Sequence, residues 1–592
     1  MKSISLLFIL LCFGAALHAQ QRLYVSPSAL GANTGASWAD AFTNLHTALV
    51  AAQPGDEIWV QAGIYFTSNT NDRNVYFQLP SGVALYGGFS GQESSLSARD
   101  WQNNPTIFDG NIGNLTDSTD NTYNLLLLVT PDSNTIVDGL TFRNAVANKP
   151  GLPVGVLGNS GAAIFIDGGE TEAFAKIRNC LFEKNTALRR GGAVFASGFG
   201  QASVAPVFEN CWFLSNKVSG GLGGAIAKIG ASWVDMPKDI YNCSFIGNSA
   251  GKGGGIFIQD DLKSDEFNID SCKFELNRKT DSGNFGGSVI HIWNPRLESK
   301  SIVSIKNSEI KKNRYPIIIA ESFTEGVGNL SLILDKCKII DNVASPSPSD
   351  DRFFCQEFLN KVSVFAKNIS IINDRFDFIM TTKSPSDLNM FVNIYVENSS
   401  FTVACLANNN ILDSIVLFSK NKDNRFNYNV ASTGPHIPVG NIHIKNLLLN
   451  NVSSDNINFT LASSNCTIHG STFKGSSFSF GLKDSLGILN CVFSNSTFPN
   501  PGSFLNSSTY IFKNSLFTTP DTIQYPNWFF QNNLWSTDPL FINPAAGDFR
   551  LQNCSPAINA GDNSVVSPGA TDLDGRPRIL GGRVDIGAYE HP

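Results

Sequence analysis

One six-residue frame returns again and again along this chain. It reads Ile177-Arg-Asn-Cys180-Leu-Phe182, then Phe208-Glu-Asn-Cys211-Trp-Phe213, Ile240-Tyr-Asn-Cys243-Ser-Phe245 and Ile269-Asp-Ser-Cys272-Lys-Phe274. It continues as Ile305-Lys-Asn-Ser308-Glu-Ile310 and Leu334-Asp-Lys-Cys337-Lys-Ile339, with weaker copies at 366–371 and 396–401 and others beginning at Ile444, Ile488 and Phe512. The anchors Cys180, Cys211, Cys243, Cys272, Ser308, Cys337, Ile369 and Ser399 follow one another at 31, 32, 29, 36, 29, 32 and 30 residues. Such a period is the signature of a stacked repeat, and it has to be read before any domain is counted.

Between the copies runs a glycine corner: Gly191-Gly-Ala-Val194, Gly223-Gly-Ala-Ile226, Gly253-Gly-Gly-Ile256 and Gly286-Gly-Ser-Val289. Each frame then closes on an asparagine three residues past its phenylalanine, at Asn185, Asn216, Asn248 and Asn277. In a strand, residues two apart share a face, so Cys180 and Phe182 point the same way. Asparagine accepts the left-handed backbone of a turn, and glycine a positive φ. A unit of this size holds two or three short strands and too little apolar surface to fold alone. Stacking buries one continuous core and sets like residues above like, at about 4.8 Å per coil. Leucine-rich, helical and propeller repeats each require patterns that are absent. The reading is an all-β fold: a right-handed parallel β-helix, a single-stranded solenoid, with an N-terminal capping helix.

The capping helix is expected where Trp38, Phe42, Leu45, Leu49 and Ala52 recur at spacings of three and four. Residues 1–19 have the form of a signal peptide: Lys2, an apolar run from Ile4 to Phe13, and small residues up to Ala19, after which cleavage is expected. The run is shorter than the ~20 residues of a membrane span, so no span is expected in the mature chain. The expected organisation is 1–19 signal peptide, 20–66 cap and first strand, 67–525 β-helix and 526–592 a C-terminal module. Motif spacing becomes irregular across 401–520. Ten of the 11 cysteines follow the leader, most of them at the repeat anchor. Parallel stacking aims their Cβ atoms alike, a poor geometry for a disulfide, so apolar cysteines that are unbridged or only partly bridged are expected.

Family resemblances attach to both ends. Tyr24-Val-Ser-Pro, Gly35-Ala-Ser-Trp38 and Gly55-Asp-Glu-Ile-Trp-Val-Gln-Ala-Gly-Ile-Tyr65 resemble the opening of pectate-lyase-like surface proteins. The Gly-Gly-Ala-Ile and Phe-x-x-Asn pairing resembles the repeats of polymorphic outer-membrane proteins, which are adhesive surface β-helices. Asp538-Pro-Leu-Phe541, Gly547-Asp-Phe-Arg-Leu551, Ser555-Pro-Ala-Ile-Asn-Ala-Gly561, Asp572-Leu-Asp-Gly-Arg576 and Asp585-Ile-Gly-Ala-Tyr-Glu590 resemble the choice-of-anchor Q module. In that family a sorting or anchoring segment commonly follows, whereas here the sequence stops at Pro592. The signal-peptide form implies a location outside the cytoplasm, and with the resemblances a protein that is secreted or at the cell surface on the outer membrane.

With 16% charged residues, a net charge of −7 and no basic stripe, the chain offers nothing for nucleic acid. Hydrolases of this scaffold use paired carboxylates; the polygalacturonase-like Gly-His-Gly and Arg-x-Lys segments are absent. Asp350-Asp351 is an adjacent acid pair of a kind common in loops. A lyase needs a base and a cation, often Ca²⁺, beside the uronate carboxylate. The densest acidic stretch is Asp260, Asp261, Asp265 and Glu266, with Lys263, after the Gly253 strand. His291 and Trp293 follow the Gly286 strand, and Lys228 holds the position equivalent to His291 one coil before the acidic stretch. Stacking would bring these within about 10 Å, with Trp293 as a sugar platform. The plainer reading, which outweighs it, is polar loops and a tryptophan shielding a ladder end. Asp572 and Asp574 offer oxygens to Ca²⁺ but lack the full EF-hand loop; a turn held by aspartate is the plainer account. The seven histidines are scattered. No cofactor is required, with Ca²⁺ the one ion the residues allow for. The expected function is a monomeric binding protein for polysaccharide, cell-surface glycan or other surface partners. The alternatives are a polysaccharide lyase, less readily a hydrolase, or an extracellular spacer.

Overall fold

The computed structural model describes the chain from residue 20, continuously to 198 apart from 115 and 171. It then describes 204–230, 240–259, 265–280, 287–293, 300–314, 317–321 and 329–342, chiefly strands from 354 to 521, and 526–592 without 545–547 and 567. The expected signal peptide, Asp260, Asp261, Lys263 and Asp350-Asp351 lie outside the described residues. So do the side chains of Asp265 and Glu266.

One coil shows how the sequence builds the fold. The strand Ala173–Arg178 ends at Asn179, whose φ of 52° turns the chain into Leu181–Glu183. A second left-handed residue, Lys184 at φ 53°, leads to Thr186–Ala187, and Gly191 at φ 59° leads to Val194–Ser197. The next coil repeats this, with Phe174 paired to Ala205, Phe182 to Phe213, Ala187 to Val218 and Val194 to Ile226, all parallel. The chain is therefore a parallel β-helix. Among the described residues the two strands of the Cys-x-Phe bend join one 32-stranded sheet, the strands after the glycine corner form a 14-stranded sheet, and five two-residue strands form a third. Among the described residues only Phe541–Asn543 and Asp548–Leu551 pair as antiparallel strands.

The interior is a set of ladders. Phe182, Phe213, Phe245 and Phe274 stack with ring centroids 4.7 to 4.9 Å apart and planes within 9°. Beyond them Ile310, Ile339 and Ile371 take the same register. The anchor cysteines are free thiols, fully buried, and they act as more than apolar filler. The Cys211 backbone N–H donates to Cys243 Sγ at 3.3 Å, and Cys211 Sγ donates to the Glu209 carbonyl at 3.3 Å. Where Ser308 replaces cysteine the pattern persists: the Cys272 N–H donates to Ser308 Oγ at 3.0 Å. Serine can therefore stand in for cysteine here, while Leu140 and Ile369 fill the same position with apolar bulk alone.

The glycine corner divides its work between two residues. Gly223 sits at φ +70°, where a side chain strains the backbone, and a Cβ on Gly224 would collide with the Gly254 carbonyl of the next coil. The register corrects one expectation. Ile256 pairs with Ile290, so the corner of that coil is Gly287-Ser-Val-Ile290, one residue later than the sequence frame at Gly286.

The N-terminal helix is shorter than its periodicity predicts. Only Leu45–Ala51 is helical, capped by the Asn44 side chain and burying Leu45, Ala48 and Leu49. Phe42 instead bridges Val25, while its N–H and carbonyl bond to Tyr24 and Ser26. Trp38 packs outside the sheet against Tyr24, at 4.8 Å, and Phe89. Extended chain over the first strand thus covers the open sheet edge.

At the other end, parallel pairing runs on through Trp528–Gln531, beyond residue 525, and Leu534 bridges Leu516. Across the irregular region the described strands stay parallel and in register. The steps from Thr472 to Val492 and from Val492 to Leu516 are 20 and 24 residues, so the coils there are smaller. The C-terminal module then packs Phe541, Phe549, Leu551 and Ile586 onto Val492 and Leu516.

Candidate functional site on the lateral face

Outward positions of the first sheet carry a paired tryptophan site. In the Cys-x-Phe frame the middle residue points out of the core, and in one coil it is Trp212, in register with Leu181 and Ser244. Trp101 reaches it from a distant part of the chain. The two half-buried rings lie 5.7 Å apart at 41°. Glycines seat the Trp101 segment: a Cβ on Gly88, at φ +92°, would fall 2.5 Å from Trp101, and one on Gly139 2.8 Å from Arg99 Nη1.

Charge and amides flank the rings. Asp138, buried, accepts Arg99 Nη2 at 2.6 Å and Arg178 Nη2 at 3.1 Å. Arg99 also donates to the Gly87 carbonyl at 3.0 Å and lies over the Tyr86 ring. Arg178, on the Ala173–Arg178 strand, keeps about a third of its side chain exposed. The turn residues form a carboxamide row: Asn179 Nδ2 donates to Asp138 Oδ1 at 2.8 Å, Asn210 to Asn179 at 3.2 Å and Asn242 to Asn210 at 2.7 Å. An aromatic platform beside fixed amides and a held guanidinium suits a pyranose, whose apolar C–H face stacks on indole while its hydroxyls take hydrogen bonds.

The residues singled out from sequence fall elsewhere. Lys228 is in register with Ala196 and Ile258 on the inner face; it is 3% exposed, and its Nζ donates to the Gly230 carbonyl at 3.2 Å. His291 pairs with Phe257, whereas Lys228 is in register with Ile292's ladder, so the two do not hold equivalent positions. The cause is the one-residue shift at Gly287, which puts His291 on the opposite face of the strand. His291 is fully buried and stacks on Phe257 with centroids 5.4 Å apart. Trp293 packs edge-on to Phe257 at 6.3 Å, in the outer stripe of the 14-stranded sheet with Phe165 and Phe195. Asp265 and Glu266 open the strand Asp265–Asp270 rather than a loop.

Asp572 is buried, and its carboxylate accepts backbone N–H groups of Asp574, Arg576 and Glu590 at 2.8 to 2.9 Å. Asp574 instead faces Arg576 at 3.6 Å. Glu590 pairs with buried Arg578 at 3.1 Å and takes the Asp585 N–H at 3.0 Å, while Asp585 accepts from Asn559 and His591. The regularly spaced acidic residues of the tail thus form a buried network on backbone donors. Among the described residues no three His, Cys, Asp or Glu side chains gather where they would hold a metal, and no helix is long and apolar enough to cross a membrane.

The tryptophan pair was not read from sequence. Its one signal was Trp212 itself, the largest residue at an outward frame position that is Leu181, Ser244 and Lys273 in neighbouring coils.

The fold and its lateral furniture define a parallel β-helix protein. The profile of the Chlamydia polymorphic membrane protein repeat matches residues 179–197 and 242–259. Both windows run from the left-handed asparagine turn to the strand after the glycine corner. No curated protein matches the chain. Among solved structures, the pectate lyase Pel9A aligns at 12% identity over 97% of this chain and 97% of its own, with a TM-score of 0.21. The PL6 family alginate lyase AlyGC aligns at 9% identity, 87% of this chain and 100% of that one, TM-score 0.17. A Family 28 exopolygalacturonase of Yersinia enterocolitica aligns at 10% identity, 88% and 79%, TM-score 0.16.

Proposed function

We propose that this is a surface-displayed or secreted β-helix protein that binds a glycan along its lateral face, with Trp101 and Trp212 as the stacking platform. The observation that carries this reading is the 5.7 Å tryptophan pair beside the Asn179–Asn210–Asn242 row. The resemblance of two coil segments to a polymorphic membrane protein repeat supports a surface location. The platform asks for no reaction: stacking and amide contacts hold a sugar, and Arg178 supplies a positive contact for a hydroxyl or carboxylate.

The test is a glycan array probed with residues 20–592, run beside pectin and alginate incubations followed by ultraviolet absorbance with Ca²⁺ or chelator. Array binding without absorbance growth supports a binding protein. Absorbance that chelator abolishes marks a lyase and overturns the reading. Silence on the array from folded protein overturns it in favour of a spacer.

A further inference from the structure

The N-terminal end of the coil stack carries a second pocket. A cleft of about 730 Å³ opens where the short helix meets the corners of the first two coils. That volume lies within the range of small-ligand sites, roughly 300–1,000 Å³. Ile64 and Phe66, 48% and 43% exposed, form an apolar wall, and Asn69, Thr70 and Asn111 add amides and hydroxyls. Among the described lining residues there is no Asp, Glu, Lys or Arg.

The polar groups are held in place. Thr70 N–H donates to Ser68 Oγ at 3.1 Å, and Thr67 Oγ1 donates to Thr122 Oγ1 at 3.1 Å, fixing the 67–70 corner. His46 Nε2 lies 2.8 Å from the Thr67 carbonyl, and its ring packs on Phe77 at 4.7 Å. A carbonyl only accepts, so Nε2 carries a proton and donates it to Thr67.

We propose that this cleft binds an uncharged sugar unit, such as the end of a neutral glycan. An exposed ring wall faces the C–H surface of a pyranose, and rigid hydroxyl, amide and imidazole groups satisfy its hydroxyls. A uronate entering the cleft would bury its carboxylate with no cation to pair with it, at a large desolvation cost. The site is separate from the Trp101–Trp212 platform and does not depend on it.

Saturation-transfer NMR on residues 20–592 tests this with the methyl glycosides of glucose, galactose, mannose and N-acetylglucosamine, and methyl galacturonoside as the charged comparison. Transfer is expected to at least one neutral glycoside, with the uronoside about tenfold weaker. Phe66→Ala and Asn69→Ala, both at exposed positions, are each expected to weaken binding about tenfold, and Ile542→Ala, exposed and outside both sites, to leave it unchanged; Trp212→Ala is measured beside them. The proposal is overturned if no neutral glycoside binds, if the uronoside binds equally, or if folded cleft variants bind like the parent. Loss on Trp212→Ala alone assigns the binding to the lateral platform and overturns the cleft.

Discussion

Asn216 and Asn248, one coil apart, share a single oxygen. Asn248 Oδ1 accepts both the backbone N–H of Asn216, at 2.9 Å, and its carboxamide, at 3.1 Å, while Asn248 Nδ2 donates to the Phe213 carbonyl at 2.8 Å. The same arrangement links Asn185, Asn277, Asn313 and Asn342, and it ends on Asp374, whose Oδ2 accepts from Asn342. Every member but half-buried Asn342 is buried, so each interior bond depends on the next coil.

Asn248→Ala therefore orphans the Asn216 backbone N–H and one Asn216 carboxamide hydrogen, and takes one donor from the Phe213 carbonyl. At about 1–3 kcal/mol for each buried unsatisfied group, the expected loss is about 3 kcal/mol or more. Urea unfolding followed by circular dichroism checks this. Asn248→Asp keeps the acceptor but sets a carboxylate oxygen against the Phe213 carbonyl and Asn277 Oδ1, and is expected to cost at least as much.

The thiol ladder gives a chemical prediction. Burial pushes the Cys180, Cys211 and Cys243 thiols well above the ordinary range, and Cys491 up to about 12. Only thiolates alkylate readily. In the native protein iodoacetamide is expected to label exposed Cys554 and spare these four, as read by peptide mass mapping. Cys211→Ser, copying Ser308, is expected to fold with a small loss, whereas Cys211→Val removes the donor and acceptor and is expected to cost about 2 kcal/mol.

The buried tail network sets a pH dependence. Burial raises Glu590 from 4.5 to about 8, outweighing the attraction of Arg578, and burial also raises Asp585. The folded state then holds a proton that the unfolded chain releases. This contribution to stability is full below about pH 4.5 and is lost as pH rises through about 8. Tail-module unfolding, followed by hydrogen exchange at Ile586 and Ala588, is expected to become easier between about pH 5 and 8.5. Glu590→Gln is expected to flatten that slope; an unchanged slope contradicts the assignment.

The glycine seat offers a test of how the lateral site is built. Gly88→Ala adds a Cβ against Trp101 at a backbone φ of +92°. Displacement of Trp101 is expected to red-shift its fluorescence and weaken glycan binding several-fold, without altering the far-ultraviolet spectrum.

The scaffold was legible because a β-helix writes its geometry locally. Asn179, Cys180 and Phe182 encode turn, backbone bond and core stack within four residues, and the next coil repeats them. Two misreadings came from patterns that serve two geometries. Trp38 and Phe42 match a helical spacing, yet Phe42 bridges Val25, because covering an open sheet edge outweighs helix propensity. Gly286 and Gly287 look alike in sequence, and only pairing with Ile256 fixes which one turns the corner. That single residue sets His291 in the outer stripe on Phe257, on the opposite face from Lys228, where it is nonetheless buried. The site itself was hidden for a different reason. Trp101 and Trp212 stand far apart in sequence, in segments of unlike pattern, and the winding of the intervening coils alone brings them together.

The most direct measurement is calorimetric titration of the best array ligand into residues 20–592 and into Trp101→Ala and Trp212→Ala. Each truncation removes one face of the platform and is expected to weaken binding at least about tenfold, roughly 1.4 kcal/mol, with the thermal midpoint nearly unchanged. Undiminished affinity in both variants would contradict a lateral glycan platform.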